Sequence, residues 1–131
     1  MLVDSSVWID YFNGRITAQT NALDRALGID EVIIGDLILT EVLQGFRKDA
    51  DFRKARELLS CLPVVAMLGP QAALKAAENY RRLRKKGVTV RKTIDVMIAS
   101  YCIEHELPLI YSDRDFDPMV EHLNLQSAIQ P

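Results

Sequence analysis

The sequence has little cysteine, little histidine and little net charge, and each shortage excludes a class of site. The 131 residues include two cysteines and two histidines. Cys61 and Cys102 lack the C-x-x-C spacing of a zinc site and lie in apolar runs, so we expect buried free thiols in a reducing compartment. The net charge is −2, so any attraction to nucleic acid has to come from a local basic patch.

Long apolar runs are also missing. No stretch approaches the roughly 18 apolar residues that a membrane-spanning helix needs. The start, Met1-Leu2-Val3, has neither the basic region nor the long apolar region of a signal peptide. We therefore expect a cytoplasmic protein without membrane contact. With 49% hydrophobic and 26% charged residues, the composition predicts one domain, residues 1–131, with a substantial core.

Short apolar runs alternate with amphipathic segments along the chain, and this pattern predicts an α/β fold. Ser5 or Ser6, Asp36 and Thr93 are the predicted helix N-caps. Strands of four to six apolar residues between helices are typical of a parallel sheet that is covered on both faces. We expect a three-layer sandwich with four or five strands. The predicted strands are 1–4, 31–35, 62–67, 107–112 and a short one near 125–129, and the longest predicted helices are 16–28, 37–46, 50–60, 70–86 and 94–106.

Four carboxylates fall where this topology brings chain segments to one edge of the sheet. Asp4 ends the first predicted strand and Asp113 follows the fourth. Glu41 lies near the start of the helix that follows the second strand. Sites in open parallel sheets form outside the carboxyl ends of the strands, so these side chains are expected to meet. Asp95 occupies the first turn of a helix that is apolar nearly all round, which predicts an acid in a buried helix.

Each acid alone also has a structural interpretation. Asp4 suits a cap, Asp95 a partner of the helix dipole, Asp113 a turn, and Glu41 a solvated helix surface. Together they need a cation, because carboxylates about 4 Å apart repel by about 4 kcal/mol per pair at an effective dielectric of 20. Oxygen ligands without a histidine or cysteine pair favour Mg²⁺ or Mn²⁺ over zinc. The pattern therefore predicts phosphoryl chemistry rather than a histidine mechanism.

Four segments carry a family resemblance. The chain resembles the PIN-domain nucleases from Met1 to about Leu125, and its size resembles the VapC toxins of bacterial and archaeal type II toxin–antitoxin pairs. The resemblance implies a PIN-like fold and Mg²⁺- or Mn²⁺-dependent endonucleolytic cleavage of tRNA, rRNA or mRNA. It also implies a homodimer and an antitoxin partner that places a basic side chain in the acidic pocket. The segments are DSS (4–6), TEVLQG (40–45), TIDVMIA (93–99) and YSDRDFD (111–117).

The resemblance assigns roles position by position. It makes Asp4, Glu41, Asp95 and Asp113 the catalytic metal ligands. Asp115 is a further candidate ligand, and Ser5 or Ser6 matches the hydroxyl residue that supports the first aspartate. Tyr111 stands where the family usually has threonine, which puts the contacts behind the ligands in doubt. Asp36 and Asp117 are interpreted as structural residues at helix starts.

A basic run, residues 81–92, ends just before Thr93 and Asp95. Arg91, Lys92 and Lys86 are therefore predicted to bind RNA phosphates. The alternative is a solvated helix end whose cations are favoured by the helix dipole.

Two other functions compete. A phosphoacceptor receiver domain has a similar size and an acidic Mg²⁺ pocket, but it needs adjacent acids after the first strand and a lysine after a late strand, which this sequence lacks. A catalytically silent PIN-like module that only binds RNA or a partner is the second alternative. Acids at all four ligand positions argue against it.

Overall fold

The computed structural model describes residues 1–129 and contains four short strands and seven α-helices within that range. The strands are β1 (Leu2–Val3), β2 (Ile34–Gly35), β3 (Val64–Val65) and β4 (Leu109–Ile110). The helices are α1 (Ser5–Phe12), α2 (Ala18–Gly28), α3 (Asp36–Gln44), α4 (Asp49–Ser60), α5 (Pro70–Lys85), α6 (Thr93–Glu104) and α7 (Asp117–Leu123), with a 3₁₀ turn (Arg114–Phe116) before α7.

The strands run parallel, as the alternating pattern predicts. β1 pairs with β4 and β2 pairs with β3. The two pairs are joined where the Ile33 N–H donates to the Met1 carbonyl at 3.1 Å, so the order is β3–β2–β1–β4. Leu109 also forms a parallel bridge with Ser127, where a short fifth strand was expected. The predicted α/β fold with a parallel sheet is confirmed, but the strands have two residues each rather than four to six.

The centre of the sheet carries the core. Leu2 and Val3 of β1 are fully buried, and so is Leu109 of β4. β3 lies at the outer end of the strand order, and its Val64 is 50% exposed. Apolar burial therefore stabilises the two strands that lead directly to Asp4 and to Asp113.

Helices pack around this core in two groups. In one, α1 packs on α2 and α3, and α3 packs on α4. In the other, α5 packs on α6, and α7 packs on both. Across residues 1–129, no helix combines the length and the apolar character needed to cross a bilayer. Cys102 in α6 is buried, but Cys61 is exposed, so the expectation of a buried thiol is wrong for Cys61.

The predicted N-caps are wrong at α1 and α6. Asp4, not Ser5 or Ser6, caps α1, because its side chain accepts a hydrogen bond from the Ser6 N–H. At α6 the N-cap is Lys92, which makes no capping bond through its side chain, and Thr93 is the first helical residue. Helix α1 thus has a preferred capping residue, whereas α6 starts one residue before the threonine that suits a cap.

The start of α3 is tied to the segment after β3. Gly35 is the N-cap and Asp36 the first helical residue, so the prediction that Asp36 caps this helix is also wrong. Asp36 accepts hydrogen bonds from the N–H groups of Leu37 at 2.8 Å and Met67 at 3.0 Å. A Cβ at Gly35 would collide with the buried Met67 side chain. Glycine at this position therefore lets β3 and its continuation approach the helix that carries Glu41.

Candidate active site

Asp4 is held at the junction of β1 and α1. Its N–H donates to the Ile110 carbonyl at 2.9 Å, which extends the β1–β4 ladder to the strand end. Its Oδ2 accepts hydrogen bonds from the Ser6 hydroxyl at 2.8 Å and the Ser6 N–H at 3.3 Å. Burial raises the pKa of Asp4, although the Ser6 bonds oppose that rise. Asp4 is thus both a helix cap and a nearly fully buried acid.

Glu41 approaches Asp4 from α3. It is half-buried, and its Oε1 is buried without a hydrogen-bond partner among residues 1–129. Burial raises the pKa of Glu41, and the charge of Asp4 raises it further, while the Ser5 hydroxyl and Lys92 lower it. The two serines after Asp4 therefore serve different acids, since Ser6 bonds to Asp4 and Ser5 lies beside Glu41.

Asp95 is the most perturbed acid of the group. It lies in the first turn of α6, and its side chain is 4% exposed. Its Oδ2 is buried and has no hydrogen-bond partner in the described part of the chain, because Lys92 Nζ, at 3.7 Å, is within ion-pair reach but too far for a hydrogen bond. Burial raises the pKa of Asp95 to about 6 against the opposing effect of Lys92, and the charges of Asp4, Asp113 and Glu41 add to the rise.

Asp113 and Asp115 belong to the loop that follows β4. Asp113 caps the 3₁₀ turn, and its Oδ1 accepts from the Asp115 N–H at 2.9 Å. Carboxylate oxygens of Asp95, Asp113 and Asp115 all lie within 4.8 Å of one another. This spacing suits one cation that contacts several carboxylates.

Two cations of the predicted RNA-binding set lie against these acids. Lys92 Nζ is 3.4 Å from Asp113 Oδ2 and 3.7 Å from Asp95 Oδ2. Arg91 Nε is 3.6 Å from Asp115 Oδ1. Lys86, the third member of the predicted set, is exposed at the end of α5. Arg91 and Lys92 therefore belong to the acidic cluster, whereas Lys86 is a solvent-facing cation.

A hydrogen bond from Tyr111 closes the loop that carries Asp113 and Asp115. Tyr111 Oη donates to Asp117 Oδ1 at 2.9 Å, so the bond spans the 3₁₀ turn. The Tyr111 ring also lies 5.4 Å from the Phe116 ring, and Phe116 is fully buried. Burial raises the pKa of Tyr111 to about 12, and Asp117 adds to the rise. Asp117 thus starts α7 and anchors the acidic loop.

The residues present fit a divalent cation. Within residues 1–129, two buried carboxylate oxygens, Glu41 Oε1 and Asp95 Oδ2, lack hydrogen-bond partners. An unsatisfied buried carboxylate is costly, and a bound cation removes that cost. The donors are all oxygens, and neither histidine belongs to the cluster, since His105 lies at the C-terminal end of α6 and His122 lies in α7. This donor set suits Mg²⁺ or Mn²⁺.

The sequence predicted that Lys92 lies near Asp95, but it missed the ion pairs of Lys92 with Asp95 and Asp113 and the separate positions of the two serines. The pattern of positive charges along the chain predicted phosphate binding, and nothing in it indicates that Lys92 folds back onto Asp95. The spacing of three residues between Lys92 and Asp95 at a helix start was the available signal. For Ser5 and Ser6, the cap position of Asp4 would have selected Ser6 as its partner.

Comparison with known proteins places this geometry in a family. The PIN domain family matches residues 1–120. The VapC ribonuclease Mb1587 of Mycobacterium bovis and the ribonuclease VapC11 of Mycobacterium tuberculosis are each 30% identical to the chain over 130 residues. Each alignment covers 98% of this chain and 97% of the relative.

Solved structures show the same fold at lower identity. VapBC2 from Rickettsia felis, bound to a promoter DNA fragment, matches with a TM-score of 0.77 and 18% identity, covering 99% of this chain and 98% of the other. FitAcB from Neisseria gonorrhoeae matches with a TM-score of 0.73 and 15% identity, covering 96% and 94%. A toxin–antitoxin complex from Klebsiella pneumoniae matches with a TM-score of 0.68 and 23% identity, covering 88% of each chain.

Proposed function

Because the chain belongs to the PIN domain family, we propose that it is a Mg²⁺-dependent endoribonuclease, the toxin of a type II toxin–antitoxin pair. It hydrolyses phosphodiester bonds of tRNA, rRNA or mRNA. Asp4, Glu41, Asp95 and Asp113 hold the metal, and Asp115 is a further ligand at the rim. Mn²⁺ is the alternative ion.

One observation carries the metal site. Glu41 Oε1 and Asp95 Oδ2 are buried carboxylate oxygens without hydrogen-bond partners, at a point where the carboxylates repel one another. A structural role for these acids would leave both oxygens uncompensated. A divalent cation compensates both at once, which supports the metal assignment over a purely structural one.

The cluster supports phosphodiester hydrolysis. When bound, the cation supplies an activated water and neutralises charge on the scissile phosphate. The Ser6 hydroxyl holds Asp4 through a hydrogen bond, and α3 carries Glu41, so both acids are positioned before substrate arrives. Asp95, near pKa 6, is ionised at neutral pH and can act as a ligand there.

RNA is proposed to approach across the basic side of the site. Arg91, Lys92 and Lys86 offer cations for phosphates on either side of the scissile bond. The Arg91 side chain is 79% exposed, and Lys86 is exposed too. Phosphate contacts of this kind position a strand without reading its sequence, so they do not select among RNA classes.

An antitoxin is the proposed protein partner. The structural neighbours from Rickettsia felis and Klebsiella pneumoniae are toxin–antitoxin assemblies. A cluster of five acids offers a basic antitoxin side chain a strong counter-charge. We also propose a homodimer, as the resemblance to VapC toxins implies.

Cleavage of total RNA tests the proposed activity. Purified protein with Mg²⁺ or Mn²⁺ is expected to cleave RNA, and EDTA is expected to stop it. Asp4→Asn and Asp95→Asn are expected to be nearly inactive, whereas Asp51→Asn, at the matching position of α4, is a control on an exposed acid. Equal cleavage by wild type and both site variants would mean that the activity comes from elsewhere. No cleavage by wild type with either ion, under conditions in which it binds RNA, would favour a silent binding module.

A further inference from the structure

The ammonium of Lys92 and the proposed divalent cation compete for the same carboxylate oxygens. Its ammonium is 3.7 Å from Asp95 Oδ2 and 3.4 Å from Asp113 Oδ2. Asp95 Oδ2 is one of the two buried carboxylate oxygens without a hydrogen-bond partner in residues 1–129, whose charge a bound cation compensates. A divalent ion held by Asp95 and Asp113 therefore has to share these oxygens with Lys92 or displace it.

Displacement is the favourable outcome. Two like charges within a few ångströms of each other repel, and a doubly charged ion binds the same carboxylates more strongly than an ammonium does. The Lys92 side chain is 52% exposed, so it can turn toward solvent without breaking the core. Lys92 also makes no capping bond to α6 through its side chain, so its departure leaves the start of that helix intact.

We propose that Lys92 is a built-in counter-ion of the metal-free site, which the divalent cation displaces and thereby releases to bind an RNA phosphate. This inference rests on the proposed metal site. The Lys92 ammonium thus neutralises Asp95 and Asp113 before the metal binds. After the metal has bound, the same ammonium is free to contact an RNA phosphate. Metal loading and RNA binding become coupled, since the bound metal frees the phosphate contact.

Arg91 does not share this role. Its Nε lies 3.6 Å from Asp115 Oδ1, an oxygen of a side chain that is 23% exposed, and Arg91 itself is 79% exposed. It contacts neither of the two buried oxygens without partners. An exposed pair of this kind contributes little, so Arg91 does not neutralise the buried acids although it lies beside Asp115.

Lys75 offers a matched control elsewhere on the surface. Its Nζ also lies between two carboxylates, 3.8 Å from Glu78 and 3.9 Å from Glu104. Its side chain is 41% exposed, close to the value for Lys92. Glu78 and Glu104 are exposed and stand outside the acidic cluster. Lys75 thus reproduces the charge arrangement without the buried acids.

The first test measures Mn²⁺ affinity by calorimetry on full-length protein without RNA. Lys92→Met is expected to bind Mn²⁺ about three- to tenfold more tightly than wild type, because the competing ammonium is gone. Lys75→Met is expected to match wild type. Equal affinity in Lys92→Met and wild type would overturn the proposal. If wild type binds no Mn²⁺ at this site, and Asp4→Asn behaves identically, the proposed metal site itself fails.

The second test follows the lysine directly. In protein labelled with ¹³C at lysine Cε, the Lys92 signal is identified by its loss in Lys92→Met. Saturating Mg²⁺ is expected to move this signal toward the position of a solvent-exposed lysine and to leave the Lys75 signal in place. A Lys92 signal that stays fixed while Mg²⁺ binds would show that the ammonium remains between Asp95 and Asp113, and displacement would be wrong.

Discussion

The Ser6 hydroxyl holds Asp4 and the packing of α3 holds Glu41, whereas Asp95, Asp113 and Asp115 lie beside cations of the chain itself. Ser6 donates to Asp4 at 2.8 Å, and no ion pair reaches Asp4 or Glu41 within residues 1–129. On the other side, Lys92 and Arg91 stand 3.4–3.7 Å from the three aspartates. The half of the pocket formed by Asp4 and Glu41 therefore has no cation in contact, whereas the loop half, Asp113 and Asp115, is partly neutralised by Lys92 and Arg91.

This difference shows where an external cation matters most. Burial raises the pKa of Asp4 and of Glu41, and neither has a cation in contact to offset it. Asp95 joins the two halves, because it contacts Lys92 and yet its pKa rises to about 6 through burial and the other acids. The free energy released by metal binding is thus expected to come chiefly from Asp4, Glu41 and Asp95. The exposed loop acids add less.

The largest expected effect is on the rate of RNA cleavage, when one acid from each half of the pocket is replaced. Asp4→Asn is expected to lower the initial rate of cleavage of a fluorescent RNA by at least about 100-fold, beyond the range typical for a group that only supports a ligand. Asp115→Asn is expected to lower it by about tenfold or less, because Asp115 is partly exposed and already paired with Arg91. Similar losses in both variants would mean that the two halves contribute alike and that the comparison is wrong.

The next effect concerns stability without metal. The pKa of Asp95 is raised from 3.8 to about 6 in the folded state, so the native protein holds this proton more tightly than the unfolded chain. The Asp95 contribution therefore favours folding at low pH and is lost as pH rises through the window from about 4 to 6. In EDTA at pH 7.5, Asp95→Asn is expected to be about 1–3 kcal/mol more stable than wild type.

Urea unfolding at pH 4.5 and 7.5 measures this difference, which is expected to shrink toward the lower pH. Asp51→Asn is the matched control, since Asp51 holds the same third position in α4 that Asp95 holds in α6 but is exposed. Its loss of a favourable helix-dipole contact is expected to cost up to about 1 kcal/mol. Two outcomes would contradict the explanation that burying the charged Asp95 lowers stability. One is an Asp51→Asn variant that is more stable than wild type, and the other is an Asp95→Asn variant that is less stable than wild type at pH 7.5.

The periodicity of the sequence predicted the order of strands and helices because burial on both faces of a parallel sheet leaves a strong apolar signal. It did not predict strand length, since residues such as Val64 are apolar and yet half exposed at an edge strand. It also misplaced the caps at Asp36 and Thr93. Both residue types suit capping, but the backbone enters the helix one residue earlier, and Asp36 is used to hold the Met67 N–H instead.

The acids themselves were predictable because parallel strands end at one edge, and the structure brings Asp4, Glu41, Asp95 and Asp113 within mutual electrostatic influence. The ion pairs that partly neutralise these acids were not predictable. Lys92 stands in a run of cations, and although its three-residue spacing from Asp95 allows an ion pair, only the fold shows that its ammonium reaches Asp95 and Asp113. Side-chain direction at a helix start depends on backbone geometry that a charge pattern does not contain.

The smallest expected effect follows from removing the hydrogen bond that holds the loop carrying Asp113 and Asp115. Asp113 and Asp115 follow β4 on a short turn, and the bond from Tyr111 Oη to Asp117 closes that turn at 2.9 Å. Tyr111→Phe keeps the ring against Phe116 and removes this bond, so it is expected to cost about 0.5–1.5 kcal/mol of stability. Because only the loop half loosens, only part of this free energy is expected to reach the metal site, and Mn²⁺ affinity is expected to fall by about two- to threefold.

Tyr11→Phe separates loop positioning from a general loss of stability. Tyr11 also donates to an aspartate, Asp24, at 3.3 Å, in the α1–α2 region away from the acidic loop. Its removal is expected to lower the urea midpoint slightly and to leave Mn²⁺ affinity at the wild-type value. If Tyr111→Phe loses stability but binds Mn²⁺ as wild type does, the loop acids reach their positions without Asp117. The two halves of the pocket would then differ in charge compensation alone and not in how firmly the chain holds them.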